Sequence, residues 1–222
     1  FMNLALNQAE KILGNTKKNP AVGCVIVKKK CVLAAGYTGF GGRPHAEKNA
    51  IQFDKKKIKN SHLYVTLEPC SHYGKTPPCI NKIAKNKIKK VFFSIHDVDK
   101  RSFKKCKKKL KKKNILVNSG LLSGKINEFY KSYTNHKKNK LPYVAAKIAV
   151  SKDFFTVNKR KKYITNDFSR ARVHLLRSKH DCVVTSVKTI IKDDSKLTCR
   201  IDGLENRSPA RIILDKKLKI PV

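Results

Sequence analysis

Thr66-Leu67-Glu68-Pro69-Cys70-Ser71-His72-Tyr73-Gly74-Lys75-Thr76-Pro77-Pro78-Cys79 decides how this chain folds. It opens inside a short apolar, β-branched run from Leu63 to Leu67 that reads as a buried strand. It closes on Pro77-Pro78, which suits the entry to a helix reaching Lys85. Working outward, His45 to Phe53 has helical character, and Val91 to Ile95 is a second strand of the same kind. Met2, Leu6, Ala9 and Leu13 recur at helical spacing before a stop at Gly14-Asn15. Val22 to Val27 and Cys31 to Ala35 read as two strands joined by a tight lysine turn, and a Lys-rich helix over 102–113 precedes a short strand from Ile115 to Val117. Helix, strand, strand, helix, strand, helix, strand in that order predicts an α/β sandwich around a mixed sheet.

The chemistry-bearing residues sit at the ends of these elements. His45-Ala46-Glu47 opens a helix after Gly41-Gly42-Arg43-Pro44; Cys70 follows a strand, and Cys79 comes after eight intervening residues. Zinc favours a tetrahedral set of nitrogen and thiolate donors, and a catalytic site keeps three protein ligands and an open fourth position. His45, Cys70 and Cys79 meet that count. Zinc makes its water a nucleophile near neutral pH, and Glu47, two residues from His45, can move the protons without ligating the metal. An H-x-E segment followed by Pro-Cys is the pattern of zinc-dependent base deaminases. A purely structural zinc site usually closes with a fourth protein ligand and would leave Glu47 without a task. His72 is an available fourth ligand, but its place in the loop between the cysteines suits a substrate contact better.

Composition bounds the rest. A chain of 222 residues can bury one large core or two modest ones, and 40% hydrophobic content is ample for a fold. No apolar run is long enough for a membrane span, and the first residues lack a secretory signal, so the expected location is cytoplasmic, with no membrane partner. Seven cysteines make an odd number, which argues against a disulfide framework. Cys24, Cys31, Cys106, Cys182 and Cys199 therefore read as core or surface thiols. The net charge of +37 is carried mostly by lysines scattered through nearly every element. A dedicated nucleic-acid surface would concentrate arginine, so the charge reads as compositional drift and no specific nucleic-acid partner is expected. Two alternatives stay open: a nucleic-acid deaminase, favoured by the charge, and an RNA-binding module with a structural zinc.

The Thr66 to Cys79 segment, with Asn19-Pro20-Ala21-Val22-Gly23-Cys24-Val25 upstream, resembles the bifunctional riboflavin-biosynthesis deaminase-reductases. The wide cysteine spacing sets it apart from cytidine, adenosine and tRNA deaminases. The resemblance implies a cytidine-deaminase-like α/β/α sandwich with a mixed sheet, followed by a dihydrofolate-reductase-like α/β domain. It implies zinc-dependent removal of an amino group from 2,5-diamino-6-(ribosylamino)pyrimidinone 5′-phosphate, then NADPH reduction of the ribosyl group to ribityl. It places Asn19, His72, Lys75 and Thr76 against the pyrimidine and ribose phosphate. Where the family continues with Asp-Pro-Asn-Pro and glycine, this chain has Asp97-Val98-Asp99-Lys100, and only Asp97 is carried over.

Polar residues from His136 to Lys140, then an apolar run from Tyr143 to Val150, mark a boundary. The expected division is a deaminase domain over 1–136, a linker over 137–141, and reductase sequence over 142–222. The second part offers a strand at Tyr143 to Val150, a helix through Ser169 to Arg177, and strands at Cys182 to Thr185 and Arg211 to Leu214. So few elements lead to the expectation of a truncated domain. By resemblance, Ala149, Tyr163, Thr189 and Asp193 line the NADPH site, while Lys161, Arg177, Leu197 and Arg200 meet the substrate. The resemblance also leads to the expectation of a homo-oligomer.

Overall fold

The computed structural model describes residues 1–53, 57–156 and 163–220. Lys161, expected to meet the substrate, lies outside the described residues. By its internal contacts the chain divides into two compact units, Phe1–Val144 and Ala145–Val222.

The first unit is built on a five-stranded mixed sheet. Its strands are β1 (Gly23–Lys28), β2 (Cys31–Tyr37), β3 (His62–Leu67), β4 (Lys90–Ile95) and β5 (Leu116–Ser119), in the order β2-β1-β3-β4-β5. β1 pairs antiparallel with both β2 and β3, placing Cys24 opposite Val65, whereas β3, β4 and β5 run parallel, with Leu63 opposite Val91. The period-two alternation of a strand sends successive side chains to opposite faces. On β1, Cys24 and Ile26 enter one core while Val25 and Val27 enter the other. The first core lies beneath α2 (Ala46–Gln52), α3 (Cys79–Lys85) and α4 (Cys106–Lys111), through Ala50, Ile83 and Leu110. The second lies beneath α1 (Met2–Glu10) and α5 (Ser123–Phe129), through Leu6 and Ile126.

Two features set where α2 sits, and so where the site forms. Gly36 on β2 has Ala50 N only 2.5 Å and Ala46 O 2.7 Å from the place a Cβ would occupy, so only glycine lets α2 lie this close to the sheet. At the end of the same strand, the Asn49 side-chain amide donates to Tyr37 O at 2.7 Å. On the opposite face, the fully buried Tyr130 donates its phenol to Ala21 O at 2.8 Å and stands 2.7 Å from Thr66 Oγ1, which accepts from Gly23 N at 3.1 Å. This network ties the chain after α5 to β1 and β3.

Helix 102–113 is shorter than its composition suggests: the chain turns through 99–105 before α4 begins at Cys106. Residues 120–139, left unassigned by periodicity, form α5 and α6 (Lys131–Asn139). The segment read as a linker, 137–141, begins inside α6, because a wholly polar sequence can also be an exposed helix.

In the second unit, α7 (Asp167–Arg177) starts where Asn166 Oδ1 accepts from Ser169 N at 2.9 Å, a side-chain cap. The parallel strands β6 (Cys182–Ser186) and β7 (Ala210–Leu214) flank α8 (Val187–Asp193) in sequence. The strand expected over Tyr143 to Val150 is absent: those residues are irregular and largely exposed. A strand needs a neighbour to take its backbone hydrogen bonds, and none of the described residues pairs with this segment. Among the described residues, no helix is long and apolar enough to cross a membrane.

Candidate active site

His45 is the N-cap of α2, held extended at φ −68° and ψ 154°, which turns its ring off the helix toward the ends of β3 and α3. Cys70 follows β3, and Cys79 is the first residue of α3. Donor atoms of the three lie within 4.8 Å of one another. His45 Nδ1 is 3.4 Å from Cys79 Sγ and 3.6 Å from Cys70 Sγ, and Cys79 N donates to Cys70 Sγ at 3.2 Å.

The electrostatics suit a cation. Hydrogen bonding from Cys79, and then from His45, holds the Cys70 thiol down at about 4, whereas the same contact and burial push Cys79 well up. One imidazole and two thiolate-forming sulfurs, with no fourth ligand in the cluster among the described residues, fit a catalytic rather than a structural zinc. Glu47, in the first turn of α2, is buried beside them. Burial, then the Cys70 charge, raises its carboxyl above the ordinary value. Cys24, Cys106 and Cys199 are buried, Cys31 and Cys182 exposed, and all five are free thiols.

A cavity of about 300 Å³ opens over this cluster. Asn19, His72, Lys75 and Thr76 all line it, together with Asp97, so the first unit brings together every site residue expected of it. Asn19 donates to Gly42 O at 2.9 Å, fixing its amide against the glycine turn, and His72 Nδ1 lies 2.8 Å from Ser102 Oγ.

The same cavity is walled by residues that sequence reasoning did not single out. Arg43 donates to Thr76 Oγ1 at 3.0 Å. Arg101 grips Asp99 with both arms of its guanidinium, Nε at 2.9 Å and Nη2 at 2.6 Å, and that ion pair pulls the Asp99 carboxyl far down. Tyr133 and Lys137 reach in from α6. In a chain with lysine everywhere, no local signal separates Lys137 from the rest. Glu68, beside the motif, turns away from the metal donors: its carboxylate accepts from Lys104 N and Cys106 N, each at 3.0 Å, and meets His96 Nδ1 at 2.8 Å. It anchors the loop that carries Asp97, Asp99, Arg101 and Ser102.

In the second unit, Arg177, Leu197 and Arg200 come together. Arg177 Nη1 donates to Thr198 O at 3.1 Å, Leu197 is buried, and Arg200 N donates to His174 Nδ1 at 3.2 Å. Burial, then the Arg200 charge, lowers the Arg177 guanidinium. Ala149, Tyr163, Thr189 and Asp193 fall on three segments: the irregular stretch after 144, the lead-in to α7, and α8. The Arg170 guanidinium lies 4.4 Å over the Tyr163 ring. Among the described residues, no side-chain hydrogen bond joins Ala149, Thr189 and Asp193, and Thr189 and Asp193 share one helix.

Comparison with known proteins agrees with this geometry. Residues 1–95 match the cytidine and deoxycytidylate deaminase zinc-binding region, and residues 142–222 match the RibD C-terminal domain. The riboflavin biosynthesis protein RibD of Aquifex aeolicus is 38% identical over 100% of this chain and 63% of that protein; that of Bacillus amyloliquefaciens is 38% identical over 100% and 60%. A crystal structure of a diaminohydroxyphosphoribosylaminopyrimidine deaminase/5-amino-6-(5-phosphoribosylamino)uracil reductase from Thermotoga maritima superposes with a TM-score of 0.89 at 37% identity, over 98% of this chain and 62% of that one. The chain thus spans about three fifths of the length of the relatives it matches. The chain carries a deaminase zinc-binding region followed by a RibD C-terminal domain, and it is similar along its whole length to riboflavin biosynthesis proteins RibD.

Proposed function

We propose that the first unit hydrolytically deaminates a phosphorylated aminopyrimidine riboside, 2,5-diamino-6-(ribosylamino)pyrimidinone 5′-phosphate. In this reading the second unit serves the NADPH-dependent reduction of its ribosyl group. The observation that carries the proposal is a buried acid, Glu47, set beside a three-donor His-Cys-Cys cluster at the floor of a cavity whose rim is cationic.

His45, Cys70 and Cys79 would hold the zinc, which when bound supplies Lewis-acid activation of water. Glu47 would pass one proton from the attacking water to the ring nitrogen and carry the second, from the hydroxyl then on the ring carbon, to the amino group, which leaves as ammonia; a carboxyl raised by burial is suited to both transfers. Above it, Asp97 and Asn19 face the ring, while Lys75, Thr76, His72 and Arg43 give the phosphate a cation and several donors. A cavity of about 300 Å³ accepts a single ring and its sugar and leaves the phosphate at the mouth. The second unit has its own pair of like charges, Arg177 and Arg200, which would meet the phosphate of the substrate bound to that unit. Thr189 and Asp193 would face the cofactor. We read the working protein as a homo-oligomer, which sedimentation would test.

The deciding experiment incubates the zinc-loaded protein separately with the pyrimidine ribotide and with single-stranded RNA, and measures ammonia. Release from the ribotide alone is expected. Release from RNA alone would replace the proposal with a nucleic-acid deaminase. NADPH oxidation that depends on the deaminated product tests the second unit, and a protein that binds no NADPH would remove that half of the proposal.

A further inference from the structure

We propose that Ser102 is a positioning residue that locks His72 in the tautomer carrying its proton on Nε2, so that a neutral imidazole presents an N–H donor at the mouth of the cavity. The inference rests on the proposed function only in naming what that donor meets, the phosphate of the substrate.

The case is one of hydrogen-bond satisfaction. Ser102 is fully buried, on the loop that Glu68 anchors through Lys104 N and Cys106 N. A serine hydroxyl has one proton to donate and lone pairs with which to accept. Ser102 Oγ accepts from Ser71 N at 3.4 Å and meets His72 Nδ1 at 2.8 Å, and among the described residues it has no other hydrogen-bond partner. Were Nδ1 the protonated nitrogen, Ser102 would accept from both neighbours and its own proton would be buried without an acceptor, a costly state. If Ser102 donates to Nδ1 instead, all the groups are satisfied. The neutral ring must then carry its hydrogen on Nε2.

The direction of Nε2 gives that choice its use. The place a Cβ would occupy on Gly74 is 3.9 Å from Nε2, so this nitrogen lies against the loop that carries Lys75 and Thr76. Lys75, Thr76 and Arg43 line the same mouth. An N–H directed there donates to a phosphate oxygen, whereas the opposite tautomer would point a lone pair at the anion. Ser71 is itself held by Lys109 Nζ, which donates to its carbonyl at 2.6 Å, so both ends of the serine–histidine contact rest on fixed backbone. The sequence offers no hint of this pairing, because Ser102 and His72 are thirty residues apart.

The test has two arms on the full chain loaded with zinc. In the first, two-dimensional long-range 1H–15N NMR at neutral pH reads the His72 tautomer without substrate. An Nε2–H pattern is expected in the unmodified protein, and a mixed or Nδ1–H pattern in Ser102→Ala. An Nδ1–H pattern in the unmodified protein overturns the proposal, whatever the substrate proves to be. In the second, Ser102→Ala is expected to raise KM for the phosphorylated substrate on the order of tenfold, the size of weakening one hydrogen bond to an anion, with kcat within about twofold. In a His72→Ala background, Ser102→Ala is expected to add nothing further, because Ser102 acts through the ring. Additive losses, or an unchanged KM in Ser102→Ala, also overturn it. A complete lack of deamination by the unmodified protein would instead refute the function proposed above and leave the tautomer measurement standing.

Discussion

The phenol of Tyr133 donates to Asp97 Oδ1 at 2.9 Å, and Asp99 N donates to the same oxygen at 3.0 Å. Asp97 is nearly buried, and burial raises its carboxyl above the ordinary value despite these two donors. A residue of α6, beyond the zinc-binding region match at 1–95, thus orients a carboxylate in the cavity wall.

Replacing Tyr133 by Phe removes that donor and leaves the ring. The expected result is a KM several-fold higher with zinc content unchanged, and a loss of about 1 kcal/mol in stability, the net worth of one hydrogen bond. Steady-state kinetics and urea unfolding check both, and an unchanged KM would show that Asp97 needs no such support.

Glu47→Gln keeps the shape of the side chain and removes its capacity to carry a proton. Deamination is expected to fall by about 10² to 10⁴, the usual size of a general acid–base contribution, or beyond detection, with one zinc per chain retained. Metal analysis alongside the ammonia assay separates this outcome from loss of the metal. A variant that keeps both zinc and full turnover would mean that another group moves the proton.

At Gly36, a methyl group would lie 2.5 Å from Ala50 N and 2.7 Å from Ala46 O, both backbone atoms. Gly36→Ala therefore must displace α2, which carries Glu47 and is capped by His45. We expect about 1 to 3 kcal/mol of destabilisation, typical of overpacking, and a disproportionate fall in kcat, since small displacements of reacting groups are costly. Denaturant midpoints and kcat on the same preparation provide the test.

Asp99 is held far below the ordinary carboxylate range, first by its hydrogen bonds with Arg101. A depressed folded-state value means stability that is fully present above the unfolded value, about 3.9, and is lost as pH falls through the folded one. Because Arg101 is largely exposed, the amount is about 1 kcal/mol or less. Asp99→Asn is expected to be less stable than the unmodified protein above about pH 4, with the difference shrinking toward strong acid. A difference that instead grows on acidification would contradict the ion pair.

Local pattern alone revealed most of the sandwich. The strands around Val25, Val65 and Phe93 were legible because a buried strand needs a short run of apolar, β-branched residues. His45, Glu47, Cys70 and Cys79 were legible because zinc and proton transfer accept few residue types. Signals failed where an element's identity depends on what lies beside it. Tyr143 to Val150 has a strand's composition and no paired neighbour, and α6 has a linker's composition and is a helix.

What the sequence by itself determined was the donor set, the acid beside it and the order of elements, since each follows from residue type and near-neighbour spacing. Only the tertiary structure decided that Tyr133 and Lys137 close the cavity, that Glu68 serves the loop and not the metal, and that Ser102 meets His72. Those contacts join residues far apart in the chain, where hydrogen bonds depend on the direction of a side chain in space, and spacing along the sequence carries no record of that direction.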